Sequence, residues 1–290
     1  MKKNRYLDIS LVDEFIKWFV SDAQILPHNY FNRDLRRHCG FESLSDSLEK
    51  YYWPFNSFYD CKGSRHISIS GHLKESAHTL NCLQLHLRSS VYTDFVEYKE
   101  SAKALMAWGG TTNRNNDWFD DNNNLKVVHQ TIAVLKEQDD DLLLLQSIKN
   151  LRFNAGLTKL YALILDDFII YDSRVAAALS WYVLKFTETK KLAVIPPELK
   201  FACMPARGKQ VRNPHANKLG FPGMYNNSAK HLHWNIRANW ILSKSTQLMK
   251  ESLSLRDSSF FKQSDINPIR AIEAALFMWG YDLHDPLQKE

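Results

Sequence analysis

No window of this sequence holds the roughly eighteen uninterrupted apolar residues that a helix needs to cross a bilayer, so no segment is expected to span a membrane. Cysteine is scarce and scattered. Cys39, Cys61, Cys82 and Cys203 form no C-x-x-C pair, which argues against a zinc site, a cysteine-ligated cluster or a disulfide framework and makes a reducing cytoplasm the expected compartment. The patterns G-x-G-x-x-G, G-x-x-x-x-G-K-[ST], H-E-x-x-H and G-x-S-x-G are all missing, which removes the commonest nucleotide, zinc-protease and serine-hydrolase readings. No cofactor or metal is expected. There is no internal repeat, and the start MKKNRYLDISLVDEF is broken by Asp13, Glu14 and Lys17 before it can resemble a secretory signal. His72, His78 and His86 stand six and eight residues apart, which fits no helical ligand spacing, so they are read as ordinary histidines.

What is present suits a globular protein. The chain has 290 residues, 44% of them hydrophobic and 12% aromatic, ample for a packed core. A formal charge of +5 permits a nucleic-acid partner without requiring one. Apolar residues recur at helical spacing over 11–19, 73–87, 91–108 and 125–135, and Ser10, Asp141, Ser228 and the Asn267-Pro268 pair supply helix starts. The helix over 44–53 stops before Pro54, and its aromatics Tyr51, Tyr52, Trp53 and Phe55 are read as core. The basic cluster Arg33, Arg36, Arg37 and His38 reads as a solvated helix face. HISIS, residues 66–70, alternates like a short strand. With at most one or two short strands, the expected fold is all-α. The asparagine-rich stretch 111–124 reads as a loop between an N-terminal helical lobe, 1–110, and a C-terminal helical lobe, 125–290, packed as one unit.

The long connection after Phe186 carries Lys190, Lys191, Lys200, Arg207, Lys209, Arg212 and Lys218 against Glu188 and Glu198, so most of the positive excess lies there. Long loops inside compact domains tend to be functional. The chemistry-bearing stretch is RFNAGLTKLYALILDDFIIYDSRVAAALSWYV, 152–183. A small-residue turn at Asn154-Ala155-Gly156 opens a helix carrying Lys159, and a helix start of this kind offers backbone N–H groups to a phosphate. After the apolar run Phe168-Ile169-Ile170-Tyr171, Asp172 stands at the N-cap of the next helix, where backbone donors and the helix dipole favour negative charge.

At these residues the sequence resembles the helix-hairpin-helix DNA glycosylase superfamily, especially its 8-oxoguanine glycosylase-like branch. Phe153-Asn154-Ala155-Gly156-Leu157-Thr158-Lys159 lines up with the family hairpin L-P-G-V-G-T-K, and Ile170-Tyr171-Asp172-Ser173-Arg174-Val175 with its V-D-x-H/R-V segment. The match covers about thirty residues. It has one hairpin glycine, Gly156, with Leu157 where the family keeps its last glycine, and thirteen residues from lysine to aspartate, a shorter separation than usual. The resemblance implies a bilobed helical fold, no cofactor, and a monomer that acts on double-stranded DNA. It implies excision of a flipped-out damaged or modified base, in repair or against phage DNA, with Asp172 stabilising the cationic sugar and Lys159 as the nucleophile if strand cleavage follows. Asn154, Gly156, Thr158, Arg174, Arg207, Lys209 and Arg212 are its expected DNA contacts. The plainer readings are an N-cap aspartate, a solvated surface lysine at 159, an arginine at 174 paired with a carboxylate, and Trp108, Trp181, Trp234 and Trp240 as core rather than pocket walls. A non-catalytic helix-hairpin-helix DNA-binding protein is the alternative.

Overall fold

The computed structural model describes residues 1–32, 36–204, 210–214, 220–224, 227–252, 259–262 and 266–284. Among them are thirteen α-helices and two antiparallel two-stranded sheets, so the fold is mostly helical. The expectation of one or two strands is corrected to four. His28–Asn32 pairs with Arg37–Phe41, putting Tyr30 opposite Cys39, and Phe58–Tyr59 pairs with Arg65–His66. The chain forms two compact units, each assembled from separate stretches. The first contains 1–2, 51–170 and 227–236, the second 3–50, 171–226 and 237–290, so the asparagine-rich stretch lies inside the first.

In the first unit the Leu73–Ser90 helix packs on the Phe95–Trp108 helix, and both pack on the short Leu157–Ile164 helix. Asp94 caps the second of these by accepting hydrogen bonds from the Val96 and Glu97 amides. Leu83, Leu87, Leu105, Leu157 and Tyr161 are fully buried, and Tyr98 meets Phe119 edge to face at 6.2 Å. Phe119 also explains a difference at 111–124. This stretch holds the Asn115–Asp120 helix and the start of the Asn123–Lys136 helix, because burying Phe119, with the buried Asn115 amide donating to the Thr111 carbonyl at 2.8 Å, outweighs the poor helix propensity of asparagine.

The expected strand at 66–70 stops at His66. Beyond it the Glu75 carboxylate accepts from the amides of Ser70 (2.9 Å) and Gly71 (2.9 Å), donors that a sheet partner would otherwise take. Tyr51 and Phe55 are core as expected, whereas Tyr52 is exposed. Trp108 and Trp240 are buried, while Trp181 and Trp234 are half-buried.

The second unit is built around the Ser173–Thr189 helix. It packs against the Ser10–Val20 and Pro268–Trp279 helices, and the latter also covers the Leu44–Glu49 helix. Phe19 meets Tyr182 edge to face at 5.1 Å, Phe15 meets Phe186 at 5.5 Å, and Trp279 lies 5.2 Å from both Tyr182 and His28. The basic cluster at 36–38 leads into and forms part of a strand, not a helix face. His28, Tyr30 and Asn32 of its partner strand turn inward, and the polar identity of two of them disguised the alternation. Arg33 lies outside the described residues.

Candidate functional site

The division between units falls between Ile170 and Tyr171, so Lys159 belongs to the first unit and Asp172 to the second. In the first unit, the turn before the Leu157–Ile164 helix is fixed by asparagine side chains. Asn154 Oδ1 accepts from the amides of Gly156 (2.8 Å) and Leu157 (3.1 Å), and Asn115 Oδ1 accepts from Asn154 Nδ2 (3.0 Å) and from Arg152 Nη2 (2.9 Å) and Nε (3.1 Å). The first helical donors are thereby paired inside the chain, in contrast to the open phosphate site expected of this turn. Gly156 is the residue that permits it, since a Cβ there would run into Asn115 Nδ2 and come within 2.8 Å of Met106 Sδ. Asn115 and Arg152 escaped the sequence reading because nothing local marks a side chain that braces a distant turn.

Thr158, expected as a DNA contact, lies in the interior of the first unit. It is fully buried, with its Oγ1 donating to Asn235 Oδ1 at 2.6 Å and lying 3.4 Å from the Ile169 carbonyl oxygen. Asn235 Nδ2 donates to the same Ile169 carbonyl, at 3.2 Å, which ties the apolar run before Asp172 to the lysine helix. Lys159 is likewise buried, 5% exposed, rather than the solvated lysine a helix start suggests. Its Nζ donates to the Ala155 carbonyl at 2.6 Å, and its stem covers Gly109, where a Cβ would come within 2.6 Å of Lys159 Cδ and Cε. A lysine drawn inside with its Nζ on a backbone carbonyl is unlike a surface residue, which would keep its ammonium in water.

In the second unit, Tyr171 is fully buried and its hydroxyl donates to the Ala202 carbonyl at 3.1 Å. Burial pushes its phenol well above the ordinary value, so Tyr171 anchors the chain and does not exchange protons near neutrality. Asp172 follows at the N-cap, as the sequence implies. Its Oδ1 accepts from the amides of Arg174 (2.9 Å) and Val175 (3.1 Å), and among the described residues no donor is found on Oδ2. Arg174 stacks on Phe277 and Tyr281, at 4.3 Å and 4.9 Å from the ring centroids. A Cβ on Gly280 would collide with the Arg174 carbonyl, so the end of the Pro268–Trp279 helix closes tightly on the start of the aspartate helix. Arg212, from the basic connection, donates to Ser173 Oγ at 2.5 Å and so sits one residue from Asp172. Arg207 and Lys209 lie outside the described residues.

The structure thus gathers two separate clusters, one in each unit. One gathers Asn154, Gly156 and Lys159, and the other gathers Asp172, Arg174 and Arg212. Chemically, the first holds an amine on a carbonyl, and the second a carboxylate on backbone amides with a guanidinium on the neighbouring Ser173 hydroxyl. No helix among the described residues is long and apolar enough to cross a membrane. Comparison with protein-family models, with curated proteins and with solved structures finds no match to this chain.

Proposed function

We propose that this protein is a DNA glycosylase that excises a damaged or modified base after flipping it from the duplex. The observation that carries the reading is the Asp172 carboxylate, with one oxygen clamped by two backbone amides and the other without a donor among the described residues. A negative charge fixed in this way suits a reaction in which the departing base leaves positive character on the sugar. The buried Lys159 amine and the Arg212 guanidinium beside Ser173 support the same reading, as does the order of hairpin, lysine, apolar run and capping aspartate along the chain.

Two routes are open to the leaving base. In the simpler one, Asp172 orients a water and takes its proton as the water oxygen bonds to C1′ and the C1′–N bond breaks, the electron pair leaving with the base. In the other, the neutral Lys159 amine bonds to C1′ as the C1′–N bond breaks and its electron pair leaves with the base; the amine then gives up its protons while the C1′–O4′ bond opens and O4′ takes one, and the resulting Schiff base opens the way to strand cleavage. Lys159 must first exchange the Ala155 carbonyl for the substrate. Arg212 and the other basic residues of the 190–218 connection hold the phosphates.

A panel of duplexes carrying oxidised, alkylated, deaminated or hypermodified bases, scored for released free base, tests the proposal. Excision from at least one of them is expected. Tight binding to the same duplexes with no base released from any of them contradicts it and favours a non-catalytic DNA-binding protein. Borohydride trapping separates the routes, since only the Schiff base is captured, and Lys159→Gln abolishes the adduct if the lysine route operates.

A further inference from the structure

The four cysteines carry no metal-ligand spacing, yet the fold of the first unit draws a mixed ligand set together from three separate elements. Cys61 lies in the turn between the Phe58–Tyr59 and Arg65–His66 strands, His86 on the Leu73–Ser90 helix, and Glu97 in the first turn of the Phe95–Trp108 helix. One donor atom from each, a thiol sulfur, an imidazole nitrogen and a carboxylate oxygen, lies within 4.8 Å of the other two. Around a tetrahedral zinc ion such donors stand about 3.3–3.6 Å apart, given bond lengths of about 2.0–2.3 Å, so side-chain movements of about 1 Å close the set.

The surroundings already orient these groups. Glu97 Oε2 is bound by Lys62 Nζ at 2.8 Å, while Oε1 faces His86 Nδ1 at 3.5 Å. The opposite ring nitrogen, Nε2, points to Asp60 Oδ2 at 3.9 Å. Asp60 is a buried carboxylate fixed by the Lys62 and Ser64 amides, both at 2.9 Å, and by His66 Nε2 at 2.9 Å. A metal-bound imidazole usually gives its other N–H to a carboxylate, which sets its tautomer and aims its ring. Asp60 lies near that place, 3.9 Å from Nε2, and a shift of about 1 Å brings it to hydrogen-bond distance. A cavity of about 410 Å³ lies beside Asp60 and His86, lined also by His66, His78 and Cys82 among others.

We propose that Cys61, His86 and Glu97 bind a zinc ion, with Asp60 as the positioning residue for His86. The Cys61 proton passes to solvent as the sulfur–zinc bond forms, and Nδ1 of His86 and Oε1 of Glu97 complete three protein ligands. The fourth position is left to water. The ion pins the Phe58–His66 hairpin to the two long helices beneath it. This site is independent of the glycosylase reading, since all its residues lie outside 152–183.

The test uses the full chain freed of metal with chelator and titrated with Co²⁺, a spectroscopic stand-in for zinc. The expected result is one equivalent bound, with a near-ultraviolet thiolate-to-cobalt charge-transfer band that Zn²⁺ displaces. Cys61→Ser abolishes the band and Cys82→Ser keeps it. His86→Gln and Glu97→Gln each weaken Co²⁺ binding by more than about tenfold, and Asp60→Asn by about 10- to 100-fold while the band keeps its position. Zn²⁺ also shields Cys61, and not Cys39 or Cys82, from alkylation in the unmodified protein, a readout that requires no variant to fold. The absence of a thiolate band, its survival in Cys61→Ser, or equal alkylation of Cys61 with and without Zn²⁺ overturns the proposal.

Discussion

Asp172 caps its helix and, in the proposed reading, also supplies a catalytic charge, and substitutions at that one residue distinguish the two. Asparagine accepts amide hydrogen bonds at an N-cap about as well as aspartate, so Asp172→Asn keeps the Arg174 and Val175 bonds and removes only the charge. Asp172→Ala removes both and costs about 1 kcal/mol of stability, measurable by urea unfolding, on top of any loss of activity. Thr158 gives a purely structural prediction. Thr158→Val keeps the volume but strips the hydroxyl shared by Asn235 and Ile169, at a cost of about 1–3 kcal/mol in the same measurement. Gly156→Ala forces a methyl against Asn115 and Met106 and costs about 1–3 kcal/mol, with Asn154 displaced from the turn. A Gly156→Ala protein as stable as wild type would contradict the close approach described for that turn.

At the scale of elements, what the sequence disclosed depended on how local the signal was. Asp141, Asp172 and Asn267 read correctly as helix caps because each accepts an amide two residues on, within the reach of a short pattern. The Arg37–Phe41 strand was hidden because its partner buries His28 and Asn32, polar residues that break the apolar alternation. The strand at His66 was read too long because Glu75, farther along the chain, takes the amides of Ser70 and Gly71. Those amide bonds, with the burial penalty on the charge a lesser effect and the Ser70 and Ser68 hydroxyls adding to them, hold the Glu75 carboxyl below its usual range. A depressed carboxyl contributes stability that is present above its unfolded pKa of about 4.3 and is lost as pH falls through the folded value. The stability difference between wild type and Glu75→Gln is therefore greatest near neutrality and narrows on acidification. A difference that stays constant or grows toward acid contradicts this role. The candidate site was legible to the same degree: Asp172 is evident from its cap, while the burial of Lys159 depends on Gly109 and Ala155, which no motif joins to it.

For the whole molecule, the long basic connection is where the proposed DNA partner would meet most of the positive excess. Arg212 is tied to Ser173, and Lys190 is paired with Glu14 at 2.6 Å, so part of the positive excess is already engaged in the folded chain. DNA affinity is accordingly expected to fall with salt at a slope set by the few phosphates contacted, roughly 0.9 per phosphate on a log–log scale, and Arg212→Gln reduces that slope by about one unit. The most direct measurement of the central claim compares wild type and Asp172→Asn on a duplex from which the wild type releases a base, following free base and binding affinity together. The account predicts that the variant loses base release by at least about a hundredfold, in keeping with loss of a preorganised electrostatic group, while its DNA affinity and thermal unfolding stay close to wild type. Base release by Asp172→Asn at the wild-type rate would contradict it and leave Asp172 as a helix cap alone.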